Sequence, residues 1–286
     1  MEENKVTTRN KLKTYFETGK HPTQGQFSDL IDSLKHKEDV LTNREMAILA
    51  NSLARIDNAF IYYSTNSAGN LKFPIVISSQ GEDDQVITIQ ETDNVVVKQF
   101  LLGSAPYTIK AKGFSGGELK ETEYYSLGYQ FNQTYTISRL FGNNLNTIPD
   151  GFELGILEGK RMPIQIYKQN FGKKVMVVNT IVKFVNNTEI PIQYRIAAGG
   201  WNDRFRNEDT VTDHYNVADY LSFYYSADLQ ASNKSISCEV YNADNNSLLA
   251  TTLLHAGSNS DYWGGEQLME GLRNIRIECN YSKNEK

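Results

Sequence analysis

Apolar side chains return every three or four residues over roughly the first sixty positions and every second residue after that. Leu12, Tyr15 and Phe16 share one helical face, and Gly19, suited to the left-handed conformation past a helix end, closes that helix with Pro22 just beyond. Thr23 and Gln26 form the Thr-x-x-Gln pattern of a capping box, Pro22 and Phe27 stand at staple positions, and Phe27, Leu30, Ile31 and Leu34 have the spacing of one buried helical face. Gly25, a weak helix former, falls in the first turn. Thr42 and Glu45 repeat the capping box, with Leu41 against Met46 as staple. Met46, Leu49, Leu53, Ile56, Phe60 and Tyr63 then alternate three and four apart, the seam of a left-handed coiled coil, which could instead pack back on the first two helices.

Beyond Tyr63 short alternating runs are punctuated by Gly, Asn, Asp and Pro. Strands are expected at 73–77, 86–89, 95–100 and 107–111, continuing at 124–129, 135–140 and 152–156, with 142–151 as a loop. The polar, turn-prone stretch 170–174 marks a boundary. Past it, strands are expected at 181–185, 192–196, 220–225, 235–241, 248–254 and 275–281, with 202–216 as a long surface loop. The pattern predicts a mainly β chain with an N-terminal helical segment: a helical docking and oligomerisation module at 1–65, a β-rich spacer at 66–172 and a C-terminal sandwich or jelly roll at 173–286, both β parts antiparallel.

Composition supports strands, since 17 Tyr and 13 Phe against 2 Trp favour pleated, half-buried surfaces. The formal charge of −5 and the absence of a basic stripe with interleaved aromatics argue against nucleic-acid binding. No window supplies the roughly twenty apolar residues of a membrane span, so membrane insertion is not expected, and no apolar run follows the first charged residues as a secretory signal would require.

Gly113-Phe114-Ser115-Gly116-Gly117 satisfies the Gly-x-Ser-x-Gly nucleophile elbow, but that motif needs a parallel α/β sheet, and a Gly-rich turn explains it better. Asp213 and His214 are adjacent, unlike the separated members of a triad. Glu82-Asp83-Asp84 and the spread Asp203, Glu208, Asp209, Asp213 carry oxygen ligands that calcium could use, yet match no defined calcium loop and fit solvated turns. The four histidines lack metal-ligand spacing. Cys238 and Cys279 lie in strand-like segments, as buried thiols or, were their strands neighbours, as a pair. No cofactor, metal or enzymatic activity is therefore expected. Trp201-Asn202-Asp203 and Tyr262-Trp263 sit in Gly-rich stretches, where a ring could stack on a sugar face while the amide and carboxylate bind its hydroxyls; alternatively both tryptophans plug the ends of the sandwich.

The run from Arg9 to Gly19, with Lys13-Thr14-Tyr15-Phe16-Glu17-Thr18-Gly19, followed by Pro22-Thr23-Gln24, Gln26-Phe27 and Leu30-Ile31-Asp32-Ser33, resembles an N-terminal module of Bacteroidetes phage, prophage and contractile-injection tail proteins. The resemblance covers about residues 9–40. It implies attachment to a particle as part of a fibre, collar or baseplate, with other tail or baseplate proteins as partners. It also implies symmetric copies, for which the Met46 to Tyr63 seam would make a homotrimer foremost; the acidic balance and the missing signal peptide fit a chain made in the bacterial cytoplasm and carried on the virion or injection particle. A β tip of such a protein could meet a cell-surface glycan.

Overall fold

A computed structural model of the chain describes residues 7–34, 40–53, 59–91, 98–103, 106–130, 135–158, 161–268 and 271–282, without the side chains of 260–263 and 266–268. The chain is mainly β with helices at its N-terminal end. It divides into two compact units, Met1–Ile56 and Asp57–Lys286.

The first unit holds α1 (Arg9–Tyr15), α2 (Gln24–Asp32) and α3 (Asn43–Leu53). Both capping boxes form, because each satisfies two amides that the first helical turn leaves without partners. The Thr23 amide donates to Gln26 Oε1 at 2.8 Å and the Gln26 amide to Thr23 Oγ1 at 3.3 Å. The Thr42 amide donates to Glu45 Oε2 at 2.8 Å and the Glu45 amide to Thr42 Oγ1 at 3.2 Å. Gly19, at φ +84°, turns the chain between α1 and α2. The two helices meet through Phe16 and Phe27, edge to face at 5.6 Å, and through the Tyr15 hydroxyl, which donates to Asp29 Oδ2 at 2.9 Å.

The seam expected from Met46 to Tyr63 is shorter. Ile56 lies outside the described residues, α3 ends at Leu53, and Phe60 opens a strand in the second unit. A run of apolar residues from Phe60 to Tyr63 meets both periods; β-branched Ile61 and Thr65 favour the extended form, in which Ile61, Tyr63 and Thr65 all point inward.

The second unit begins with β1 (Phe60–Asn66), β2 (Lys72–Ser78), β3 (Gln85–Gln90), β4 (Lys98–Leu101), β5 (Tyr107–Phe114) and β6 (Glu123–Tyr129). It continues through β7 (Ile137–Phe141), β8 (Ile148–Leu157), β9 (Arg161–Asn170), β10 (Val177–Asn186), β11 (Ile192–Ala198) and β12 (Trp201–Asn202). The last strands are β13 (Thr210–Tyr215), β14 (Tyr220–Asp228), β15 (Ile236–Asn242), β16 (Leu248–Leu254), β17 (Asn259–Leu268) and β18 (Asn274–Tyr281). They build three sheets, ordered β17-β14-β11-β12-β7-β6-β9-β1-β4, β13-β10-β18-β15-β16 and β3-β2-β5-β8. Pairing is antiparallel except for β1 with β9 and β10 with β18, which run parallel.

Two cores follow from this layering. The first packs Phe73, Ile75 and Ile109 of the four-stranded sheet with Ile61, Leu127 and Ile164 of the nine-stranded one. The second packs Ile196, Phe223 and Tyr225 with Val182, Val240 and Ile277 of the five-stranded sheet. Strand β6 serves both, since Tyr125 points into the first core and its neighbour Tyr124 into the second.

Further segments differ from expectation, beginning with 148–151, which open β8 and do not belong to a loop. The stretch 202–216 is not one loop: it carries β13, whose inward positions Thr212 and His214 are polar and therefore give no apolar alternation. Its earlier part is tied down by a bridge between Tyr194 and Arg206. Tyr262 and Trp263 stand on β17, opposite Tyr225 and Tyr224, and not in a loop. Gly264 is a strand residue because a Cβ there would meet the Tyr225 ring at 2.6 Å and Thr252 Oγ1 at 2.8 Å. Strand β9 contains Pro163, ordinarily a strand breaker.

Candidate functional site

Two places carry the residues singled out from sequence. The first is the apolar side of the helices. None of α1, α2 or α3 has a buried residue. Leu12, Tyr15, Leu30 and Leu53 are half-buried, while Phe16, Phe27, Ile31, Leu34, Met46 and Leu49 are exposed, Ile31 to 66% and Leu34 to 63%. A free-standing pair or triplet of short helices ordinarily persists only when such a face is covered, since isolated helices under about a dozen residues are marginal in water.

The second place surrounds Trp201. Its ring is 1% exposed, so it is not available to stack on a sugar. The reason is the partners it finds: Nε1–H donates to Asp213 Oδ1 at 2.5 Å on β13, and the Arg139 guanidinium of β7 lies 4.7 Å from the ring centroid. Asp203 is buried and already engaged by Arg139 Nη2 at 3.2 Å, by Arg206, and by the Arg204 amide at 2.9 Å. Asn202 donates from Nδ2 to the Thr136 carbonyl at 3.0 Å, and its own carbonyl accepts from Arg139 Nη1. The three residues therefore act as a clasp between β12 and β7. Tyr262 and Trp263 have side chains outside the described residues.

Next to this clasp opens a pocket of about 200 Å³. Arg139, Asp213 and Tyr215 form its polar edge, and Leu145, Pro149 and Phe152 contribute an apolar wall. The Tyr215 hydroxyl accepts from the Leu140 amide at 2.7 Å and donates to the Leu140 carbonyl at 3.1 Å. Burial is the main cause that pushes its pKa up to about 12, so it stays protonated. Sequence reasoning did not single out Arg139, because no spacing connects a lone arginine on β7 to a tryptophan five strands further along the chain.

Below the clasp, polar groups of β10, β13 and the Asn216–Ala218 turn form a line. The Thr180 amide donates to Thr212 Oγ1 at 3.0 Å, Thr212 Oγ1 lies 2.9 Å from His214 Nδ1, and His214 Nε2 lies 2.9 Å from Asp219 Oδ1. Arg273 Nη2 donates to Asp219 Oδ2 at 2.9 Å. Burial lowers the His214 pKa, keeping the imidazole neutral. Burial alone would raise that of Asp219, but the bonds from His214 and Arg273 outweigh it and leave the carboxyl below its ordinary value. Thr212 and His214 are fully buried, so this Asp-His-Thr line holds strands together and presents no nucleophile.

Ser115 is exposed and lies between antiparallel β5 and the next strand, β6, not at a strand-to-helix turn. The acidic residues proposed as oxygen ligands serve separate bonds: Asp209 Oδ1 accepts from the Phe184 amide at 2.9 Å, Asp213 holds Trp201, and Asp203 holds two arginines. Among the described residues no helix is long and apolar enough to cross a membrane.

No protein-family model matches the chain, and no curated protein does. Among solved structures it is similar to the pilus adhesin SpaC from Lactobacillus rhamnosus GG in its open conformation, at 9% identity and a TM-score of 0.19. That alignment covers 80% of this chain and 44% of the adhesin, so the chain spans less than half of that protein's length. It is also similar to the major pilin T-13 from Streptococcus pyogenes, at 10% identity and a TM-score of 0.17, over 79% of this chain and 97% of the pilin. At these scores the site is read from its own residues.

Proposed function

We propose that this chain is a non-enzymatic structural protein of a phage or phage-like tail particle, held by its N-terminal helices and carrying its β unit as the displayed part. The observation that carries the reading is the uncovered apolar side of the three helices: capping boxes fix the starts of α2 and α3, yet no residue of the helices is buried. Burying such side chains against other copies of the chain or against neighbouring tail or baseplate proteins supplies about 25 cal/mol per Å² of apolar surface. The resemblance of residues 9–40 to tail-protein modules points the same way. On this reading the chain is made in the bacterial cytoplasm, assembles in symmetric copies, a trimer foremost, and takes no nucleic acid or cofactor.

Sedimentation of the full chain tests it. The native chain is expected to run as a trimer, and the double substitution Ile31→Asp, Leu49→Asp as a monomer whose β unit melts at the unchanged temperature. A monomeric native chain would remove the self-assembly part of the proposal.

The pocket beside Asp213 favours a second reading, in which the β unit holds one sugar ring of a cell-surface glycan, apolar face on Pro149 and Phe152. Its volume suits one ring better than a larger ligand, which takes some 300–1,000 Å³. A glycan array with the native chain and with Asn146→Ala, at the exposed pocket rim, checks it; no binding, or equal binding by both, rules it out.

A further inference from the structure

We propose that Cys238 and Cys279 are a latent disulfide, open while the chain is in a reducing compartment and closed across two strands of the five-stranded sheet once it folds or breathes in an oxidising one. They are the chain's only cysteines. The antiparallel register of β15 and β18 sets them directly opposite each other, with Sγ atoms 2.9 Å apart. Opposed residues of an antiparallel pair have Cα atoms about 4.5 or 5.5 Å apart, inside the 4.4–6.8 Å range that disulfides use. The closed bond therefore fits the native register of the two strands.

The chemistry explains why the pair can persist in either state. Both thiols are fully buried. The bond from Cys279, with burial added, pushes the Cys238 thiol far above its ordinary value, so the folded protein holds almost no thiolate to react. Oxidation must pass through a chain in which β15 and β18 have parted, or precede their pairing. With glutathione disulfide as oxidant, one cysteine thiolate attacks and expels a first glutathione thiolate. The second cysteine then attacks the mixed disulfide and expels another. Two protein thiols become one disulfide, and one glutathione disulfide becomes two glutathiones. In the cytoplasm the glutathione pool runs this balance backwards. The closed form ties β18, which also pairs with β10, to β15 across a separation of 41 residues. This inference stands apart from the tail-particle reading.

The test equilibrates the full chain in glutathione buffers of graded ratio, once through sub-denaturing urea into native buffer and once in full denaturant, then alkylates and counts blocked thiols by intact mass. A fold that aligns the sulfurs raises their effective concentration over that of the open chain. The half-oxidation ratio is expected to differ between the two conditions on the order of several hundred-fold, the loop-closure value for a ring of this size. The oxidised chain is expected to unfold at higher urea than the reduced one, and Cys238→Ser to take up one glutathione and show no such shift. Equal ratios in the two conditions, or two free thiols in native buffer at every ratio, would overturn the proposal.

Discussion

Thr212, His214, Asp219 and Arg273 form a chain of bonds in which the imidazole is neutral, and that protonation state ties stability to pH. The unfolded imidazole titrates near 6.5. In the fold, burial lowers it, so between the two values the unfolded chain binds a proton that the folded chain does not. Stability then rises with pH across that window and is lost as pH falls from about 6.5. Asp219, also depressed, contributes above roughly pH 3.9 and loses its contribution as pH falls below that. Melting temperature is expected to drop between pH 7.5 and 5.5 for the native chain, and less for His214→Gln; a flat native profile would count against this account. Trp201 offers a second residue-scale measurement. Trp201→Phe keeps most of the buried ring and removes the N–H that Asp213 accepts, so a loss of about 1 kcal/mol is expected in urea unfolding.

Glycines separate the elements that tolerate a side chain from those that do not. Among the described residues outside its own helix backbone, nothing lies within 4 Å of where a Cβ on Gly25 of α2 would stand, so Gly25→Ala is expected to stabilise that helix by roughly 0.5–1 kcal/mol, read as increased helical circular dichroism. A Cβ on Gly116 would meet the Gly142 Cα at 2.5 Å across two loops, and Gly116→Ala is expected to cost about 1–3 kcal/mol in the melting of the β unit. These contrasts also show which elements can be read locally. The helix starts at Thr23 and Thr42 depend on residues three positions apart, and both boxes were legible. Strands β15 and β18 alternate apolar and polar residues, β2 is a short apolar run between polar ends, and all three were legible too. The two-residue β12 was not, nor were four longer strands, each for its own reason. β1 satisfies a helical spacing as well as its own, β9 carries Pro163, β13 turns Thr212 and His214 inward, and β17 holds Gly264 to make room for Tyr225. The Trp201 cluster was found as a group but turned the wrong way, because what buries it is Arg139 and Asp213, brought in from other strands.

At the scale of the β unit, the question is whether its two cores unfold together. The nine-stranded sheet runs past both, yet its middle is thin, with Asn202 opposite Ser138 as the registered pair between β12 and β7. Side chains carry the coupling there. The Tyr124 hydroxyl, on the strand that serves both cores, accepts from the Val175 amide at 2.9 Å and donates to Asn144 Oδ1 at 2.6 Å, while Asn144 Nδ2 donates to the Val175 carbonyl at 2.9 Å. Tyr215 and Arg139 add further ties from β13 to Leu140 and from β7 to Asp203. Tyr124→Phe leaves the buried Val175 amide without its acceptor, at a cost of about 1–3 kcal/mol. For a unit of this size that is a drop of roughly 2–12 °C in melting temperature. Calorimetry is expected to show one transition for the β unit of the native chain and a single, lower one for Tyr124→Phe. Two β transitions in the native protein would mean that the shared sheet and this clasp fail to couple the cores. Two in the variant alone would place most of the coupling in the one hydroxyl.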